Sequence, residues 1–490
     1  MSVSSQSGVF GLKRQSRVGQ TAGGPYNADE ANEVQTVTIT GSPTSGSFIL
    51  TIPWASGSES TATIAYNANA ATILAALEGT ASVGSGDFAV TGTTPNFTVT
   101  AAGNLVGRNL PTMTATDTFD AGGVTIATTT EGGTWHWLPA LNVSFQPNQM
   151  VQTIPPEVGG SLWARGSYKG GVYGGGQVTM VPRGGLGLAE LLYAFCGGSI
   201  VSTADDSAYD AGTANKLVGD GTNGIPTGAI KYRFIPERTP GAELPWYTFI
   251  RNVGGKMIEQ FPDGHLGSFA FDLAATGILQ IDGSFVSRAC ENIARGSGNT
   301  SVGAQLAGNG LPFQMVDAVV KLDSNVSGDP GAVVENTDYN PTRLSIGFMN
   351  ELTQNEFVVG SFFLQDITNI SRSANISYSL YLRDAEIYNR VYNHGTAAAN
   401  GSTGAAWSSE IWKGALNVTL TGGEIGATGS NYEIVIDLPE MDYQAAPISL
   451  SGNNLVEYQL TANVVLSQDT DINPFTIEYT TDENIHTLPA

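Results

Sequence analysis

The chain has 490 residues, 41% of them apolar and only 13% charged, with a formal net charge of −23. The apolar share excludes global disorder, and the length predicts roughly two to four domains. The excess of 44 Asp and Glu over 21 Lys and Arg excludes a protein that grips nucleic acid, because phosphate binding needs clustered cations.

Along the chain, Met1 to Asn32 is polar, rich in Gly and Ser and locally basic at Lys13, Arg14 and Arg17, and reads as a flexible arm. It lacks the apolar run of a secretory signal, which predicts synthesis in the cytoplasm without Sec export. Residues 36–130 form a compositional island, with Glu59, Glu78, Asp87, Asp117 and Asp120 against Arg108 as its only charges. Within it, Thr36–Thr40, Ser47–Ile52 and Ser60–Ile64 alternate as strands. Asn69 caps a helix through Ile73, Leu74 and Leu77, with Gly79 just past its end. Phe88–Gly92 and Phe97–Thr100 form a hairpin.

Beyond the island, Trp135 and Trp137 lead into Gly166–Gly176 and a strand at Gln177–Val181. A helix follows from Leu186 to Phe195, closed by Gly197 and Gly198. Strands are expected at Ile230–Pro236 and Leu244–Arg251, then an antiparallel pair, Phe269–Leu273 and Gly277–Val286. The next strand is Ser373–Leu382, followed by a short helix at Arg383–Asn393 with Ile387, Tyr388, Val391 and Tyr392 apolar. Strands at Leu416–Leu420, Tyr432–Pro439 and Val456–Leu466 complete the chain. Both halves thus read strand, helix, strand, strand, strand. Residues 301–490 carry most of the acidic excess, including Asp366, Asp384, Glu386, Glu433, Asp437, Glu440, Asp442, Asp469 and Asp471.

Site chemistry is sparse. His136, His265, His394 and His486 are far apart, and none lies in a zinc-binding pattern. No phosphate loop or nucleophile elbow occurs. Asp205, Asp206 and Asp210 lack calcium-loop spacing, and Asp384 with Glu386 is an ordinary solvated pair. Cys196 and Cys290 allow one bridge or two inert, partly buried thiols, the second being preferred. The expectation is therefore no enzyme, no catalytic, cofactor-binding or metal residue, and no cofactor. No apolar run is long enough for a membrane helix.

Two resemblances organise these elements. The order TVTITG, SGSFILTI, TATIAYNANAATILAALEG, FAVTG and NLVGRNLPTMTA resembles an immunoglobulin-like domain found as an insertion in bacteriophage virion proteins. In the remainder, a glycine-rich strand, a short apolar helix after GGLG, a Y-x-F-x-P strand, a W-Y-T-F strand and a long antiparallel pair resemble the tail tube proteins of long-tailed, siphovirus-like bacteriophages. The implied fold is mainly β (α+β): a tail tube β-sandwich or barrel with short helices, in two tandem tube units, plus an immunoglobulin-like β domain. The units would be 1–35 with 131–300, and 301–490, with 36–130 inserted. The implied activity is self-assembly into stacked rings, trimeric with pseudo-sixfold symmetry or hexameric, with the insert on the tube exterior. Implied partners are other copies of the chain and the tape-measure, tail terminator and tail-tip proteins. DNA would cross an acidic lumen without specific binding, and no membrane is involved. The place is the virion tail, after assembly in the host cytoplasm. The arm and the loops at Gly296–Gly310 and Asp323–Thr342 would serve contacts between rings. Two alternatives stay open. A capsid or decoration protein is disfavoured by the absence of a long charged helix, and a carbohydrate-binding surface protein would use aromatics such as Trp54 and Tyr66.

Overall fold

The computed structural model describes residues 8–15, 32–54, 57–105, 110, 112–130, 132–133, 135–158, 160, 162–164, 166–185, 187–197, 216–218, 229–237, 243–253, 257–274, 277–292, 311–314, 317–323, 341–354, 356–382, 391–392, 411, 413–426, 429–449, 455–466 and 473–482. These residues are mostly β-strand, with α-helices at Ala70–Glu78 and Leu188–Cys196.

Residues 34–130 carry two small sheets and their own hydrophobic core. Val34–Thr40 lies between Asn96–Ala101 and Gly123–Thr130, with Phe88–Thr93 outside. Alternation sends Val37 and Ile39 inward against Phe97 and Val99. The helix starts where expected, because Asn69 Oδ1 accepts the Thr72 N–H at 2.9 Å, and Ile73 and Leu77, one turn apart, reach the core. The strand expected at Ser60–Ile64 is corrected to Gly57–Ser60 and Ile64–Ala65. The Thr61 hydroxyl takes the Leu50 N–H at 3.1 Å, so a side chain replaces a ladder bond there and the strand breaks.

The second body holds the larger core. The flexible-arm expectation fails for Gly8–Arg14, which is a strand with Phe10 and Leu12 fully buried. It pairs with His136–Leu138 on one side and Tyr247–Val253 on the other. Gly11 is required there, since a Cβ would sit 2.6 Å from the Trp137 ring. Phe145 inserts between Phe10, Phe249 and Phe261, with ring centroids 5.5, 5.7 and 4.6 Å away. Burying a ring of this kind stabilises by roughly 2–3 kcal/mol. The helix Leu188–Cys196 presses into the same core and stops at Gly197, whose φ of 66° suits a residue without Cβ. Of the helix expected at Arg383–Asn393, only Val391 and Tyr392 fall within the described residues, and both are helical. The loops at Gly296–Gly310 and 324–340, with His394 and His486, lie outside the described residues.

Strand order repeats in this body. In the first set, Gln146–Ile154 pairs with Gly166–Met180, which pairs with Gln280–Ser287. That strand pairs with Met257–Ala274, then Tyr247–Val253, then Gly8–Arg14. In the second set, Arg343–Leu352 pairs with Asn369–Tyr381, then Glu457–Val464. Asn431–Ala445, Lys413–Glu424 and Ala318–Asp323 follow in the same positions. Taken in chain order, the six strands of each set occupy identical places. Irregularities recur as well: the bulge between Leu266 and Ser268 matches one between Tyr443 and Ala445, and the shift between Tyr247 and Phe249 matches one between Gly414 and Leu416. The two sets join edge to edge, with Ser268–Ala274 pairing antiparallel with Arg343–Met349.

Candidate functional site

The joined sheet has one apolar face and one polar face. Val178, Ile281, Phe271, Ile346, Ile376 and Leu460 point into the core. On the opposite face, cross-strand partners form an unbroken row: Thr179, Asp282, Ala270, Gly347, Asn375, Asn463 and Asp442. Beside it runs a second row: Gln280, Asp272, Ser345, Ser377, Thr461 and Ala445. Both rows cross from the first set of strands to the second without a change of register. Gly347 leaves space for its neighbour, since a Cβ there would meet Asn375 Oδ1 at 2.6 Å.

The chemistry of this face is hydroxyl, amide and carboxylate; the first row runs on from Asp442 to Lys413, whose ammonium is engaged by Glu440. Its polar groups largely satisfy one another: Thr179 Oγ1 donates to Asp282 Oδ1 at 2.5 Å, Ser268 Oγ to Ser284 Oγ at 2.8 Å, and Gln459 Nε2 to Ser377 Oγ at 3.1 Å. Arg343, at the margin, is engaged by Asp272 at 3.0 Å. A surface whose hydroxyls and carboxylates largely satisfy one another, and whose few cations are held by carboxylates, offers phosphate no spare cation and no counterion release.

Of the acidic residues singled out in the sequence, Asp442 lies on this face. Glu440 is buried and bonded by Lys413, and Asp437 is bonded by Asn417, with burial raising its carboxyl above the ordinary range. Asp384, Glu386, Asp469 and Asp471 lie outside the described residues, as do Asp205, Asp206 and Asp210. The serines at 371, 373, 377 and 379 with Asn375 carry the period-two signal of the polar face. That signal was legible in the sequence, but not which strands it would join.

Elsewhere the buried polar groups serve the core. Arg14 Nε and Nη2 donate to Glu190 Oε1 and Oε2 at 2.8 and 2.7 Å, and the Tyr247 hydroxyl donates to Glu190 Oε1 at 2.7 Å. Burial pushes the Glu190 carboxyl up, but Arg14, His136 and the Tyr247 hydroxyl outweigh it and hold the carboxyl below its ordinary value. Cys196 and Cys290 are free thiols, and burial raises Cys196 to about 12. No group of three or more His, Cys, Asp or Glu among the described residues is placed to hold a metal. Among the same residues, no helix is long and apolar enough to cross a membrane.

His265 is buried, lies tilted against Trp246 with centroids 3.9 Å apart, and shares a hydrogen bond with Pro245 O through Nδ1 at 3.2 Å. Burial lowers its pKa from 6.5 to about 4. The unfolded chain takes up this proton first, so stability falls as pH drops from about 6.5 towards 4, by up to roughly 3 kcal/mol. Denaturant titrations at stepped pH should show this slope, and His265→Asn should flatten it. An unchanged slope in that variant contradicts the assignment.

Comparison with known proteins gives one family. A model described as "Phage tail tube protein" matches residues 149–464. No curated protein matches. A solved chain from Mycobacterium phage Patience shares 24% identity over 21% of this chain, with a TM-score of 0.15. The overlap spans 38% of that neighbour's length.

Proposed function

The chain belongs to the phage tail tube protein family, and on that premise we propose that its copies polymerise into stacked rings enclosing the channel through which DNA leaves the particle. It is a structural protein of the phage tail. The observation that carries the finer reading is the polar face running unbroken through both sets of strands.

A tube wall needs a sheet without free edges, and ring closure supplies one. Asn142 pairs with Thr179 and extends the row to a fourth strand of the first half, so each half contributes four strands to the polar sheet and six such halves would give about 24. At a spacing of about 4.8 Å and a tilt of about 40°, such a barrel closes at a backbone diameter of roughly 48 Å. After side chains on both walls, that leaves room for a nucleic acid duplex. If each set is one tube unit, three chains form a ring with pseudo-sixfold symmetry, and rings stack head to tail. The repeated strand order and shared bulges support this count. The domain organisation read from the sequence, 1–35 with 131–300 and 301–490 as tube units and 36–130 as an immunoglobulin-like insert, is part of the same proposal. So are a siphovirus-like tail, assembly in the host cytoplasm, and association with tape-measure, terminator and tail-tip proteins.

The separate core of residues 34–130 supports placing the insert on the exterior. Negative-stain microscopy of the purified protein should show hollow tubes, and a chain lacking 36–130 should form them as well. Absence of tubes from the full chain overturns the tube reading. Absence from the shortened chain alone overturns the placement of the insert.

A further inference from the structure

The junction inside the chain shows how one set of strands joins another. Within the chain, the second set's first strand covers an open stretch of the first set's long strand: Ser268 pairs with Met349, and Ala270 with Gly347. The registers identify the residues in the equivalent places. Ser287 lies between Gly174 and Gly264, as Val464 lies between Ala374 and Met441. Counting from these anchors through the matching bulges, Ala445 and Pro447 stand where Ser268 and Ala270 stand. Likewise Pro147 faces Gly174 as Phe348 faces Ala374, so Asn148 and Gln146 stand where Met349 and Gly347 stand.

Both edges lack a strand partner among the described residues. Gln146–Ile154 pairs only with Gly166–Gly175, and Ile448–Ser449 only with Glu457–Tyr458. Side chains meet some of their backbone groups instead: Arg251 Nη1 donates to Phe145 O at 2.6 Å, and Ala446 N–H donates to Tyr392 Oη at 3.3 Å. Parity agrees as well. Gln459 N–H donates to Pro447 O, which turns Ala446 and Ile448 outward, and Ser144 N–H donates to Gln177 O, which turns Phe145 and Pro147 outward.

We propose that residues 144–148 of one copy of this chain pair antiparallel with residues 445–449 of a second copy, Gln146 opposite Pro447 and Asn148 opposite Ala445. The inference rests on the tube reading and names the residues at its chain-to-chain contact. The hairpin beyond the strand fits the same partner. Within the chain, the loop after Arg343–Leu352 leans on the first set: Val172 N–H donates to Phe362 O at 2.9 Å, and Lys169 lies over the Phe362 ring. The corresponding hairpin, with Met150, Val151, Ile154, Val158 and Leu162 exposed, projects from the isolated chain. Its equivalent landing place is Asn369–Arg372, where Ile370 is 66% exposed. A second copy covers both apolar surfaces at once.

The test is disulfide trapping in assembled tubes. Directly opposed residues of a non-hydrogen-bonded antiparallel pair lie about 4.5 Å apart at Cα, within disulfide reach. Gln146→Cys with Pro447→Cys, oxidised with diamide, should convert most of the protein to covalent dimers and trimers on a non-reducing gel. Either single variant should stay monomeric and so report any background from Cys196 and Cys290. Asn148→Cys with Ala445→Cys is a second pair and should give the same ladder. Ser268→Cys with Met349→Cys should close within one chain and stay monomeric, as a control for the geometry. Tubes without a ladder from either pair overturn the proposed junction while leaving the tube reading intact. Absence of tubes in the wild type removes both.

Discussion

Placing lysines on the polar face should trap DNA in transit. Gln177, Ser373 and Gln459 all lie on this face and are exposed, so Gln177→Lys, Ser373→Lys and Gln459→Lys together add three cations per chain without touching the core. Each lysine that meets a phosphate releases condensed counterions, and binding then falls with salt at a log–log slope of about −0.9 per neutralised phosphate. Particles carrying the triple variant should assemble normally but release DNA at least about tenfold more slowly at low salt, with the rate recovering as salt rises. Dye-based ejection assays at stepped salt would measure this. Three lysines on the insert's outer strand, at Thr125, Ala127 and Thr129, should leave the rate unchanged. Equal ejection by the triple variant and the wild type would mean that this face does not line the channel.

The second large effect is expected in the core. Glu190 is buried on a helix, with Arg14 and Tyr247 as partners from two separate strands. Glu190→Ala leaves the Arg14 charge uncompensated in the interior, which costs about 3–5 kcal/mol. Denaturant midpoints should drop accordingly. Replacing both charges, with Arg14→Met and Glu190→Leu, should recover most of the loss, because an apolar pair of similar volume carries no desolvation penalty. The pH dependence has a definite sign. The folded carboxyl titrates below its ordinary value, so the contribution is present above the usual carboxylate range and is lost as pH falls through the lowered folded value. A loss under about 1 kcal/mol on Glu190→Ala would show that the pair is not desolvated as its geometry indicates.

Local signals in the sequence located most elements, and they failed where a distant partner decided. The Asn69 cap, the Phe88–Ala101 hairpin and the Leu188–Cys196 helix each rest on residues a few positions apart. Gly8–Arg14 was invisible because only Val9, Phe10 and Leu12 mark it as apolar. Its place is set by Tyr247–Val253, more than two hundred residues away. Lys13 is buried there, a fate no local pattern assigns to a lysine. The repeat of element order was legible, but the identical strand order and matched bulges are properties of pairing, to which period-two alternation is blind. The polar face was half legible: alternation at Ser373, Asn375, Ser377 and Ser379 marks a solvated side. Only registers align that side with Asp282 and Asp442.

The central claim is that three chains, each carrying two equivalent sets of strands, close a ring around a polar channel. Image reconstruction of tubes grown from the purified protein tests it directly. Three chains per ring, six similar lobes, and the row from Thr179 to Asp442 facing the lumen are the expected result. Six whole chains per ring, or that row facing outward, would contradict it.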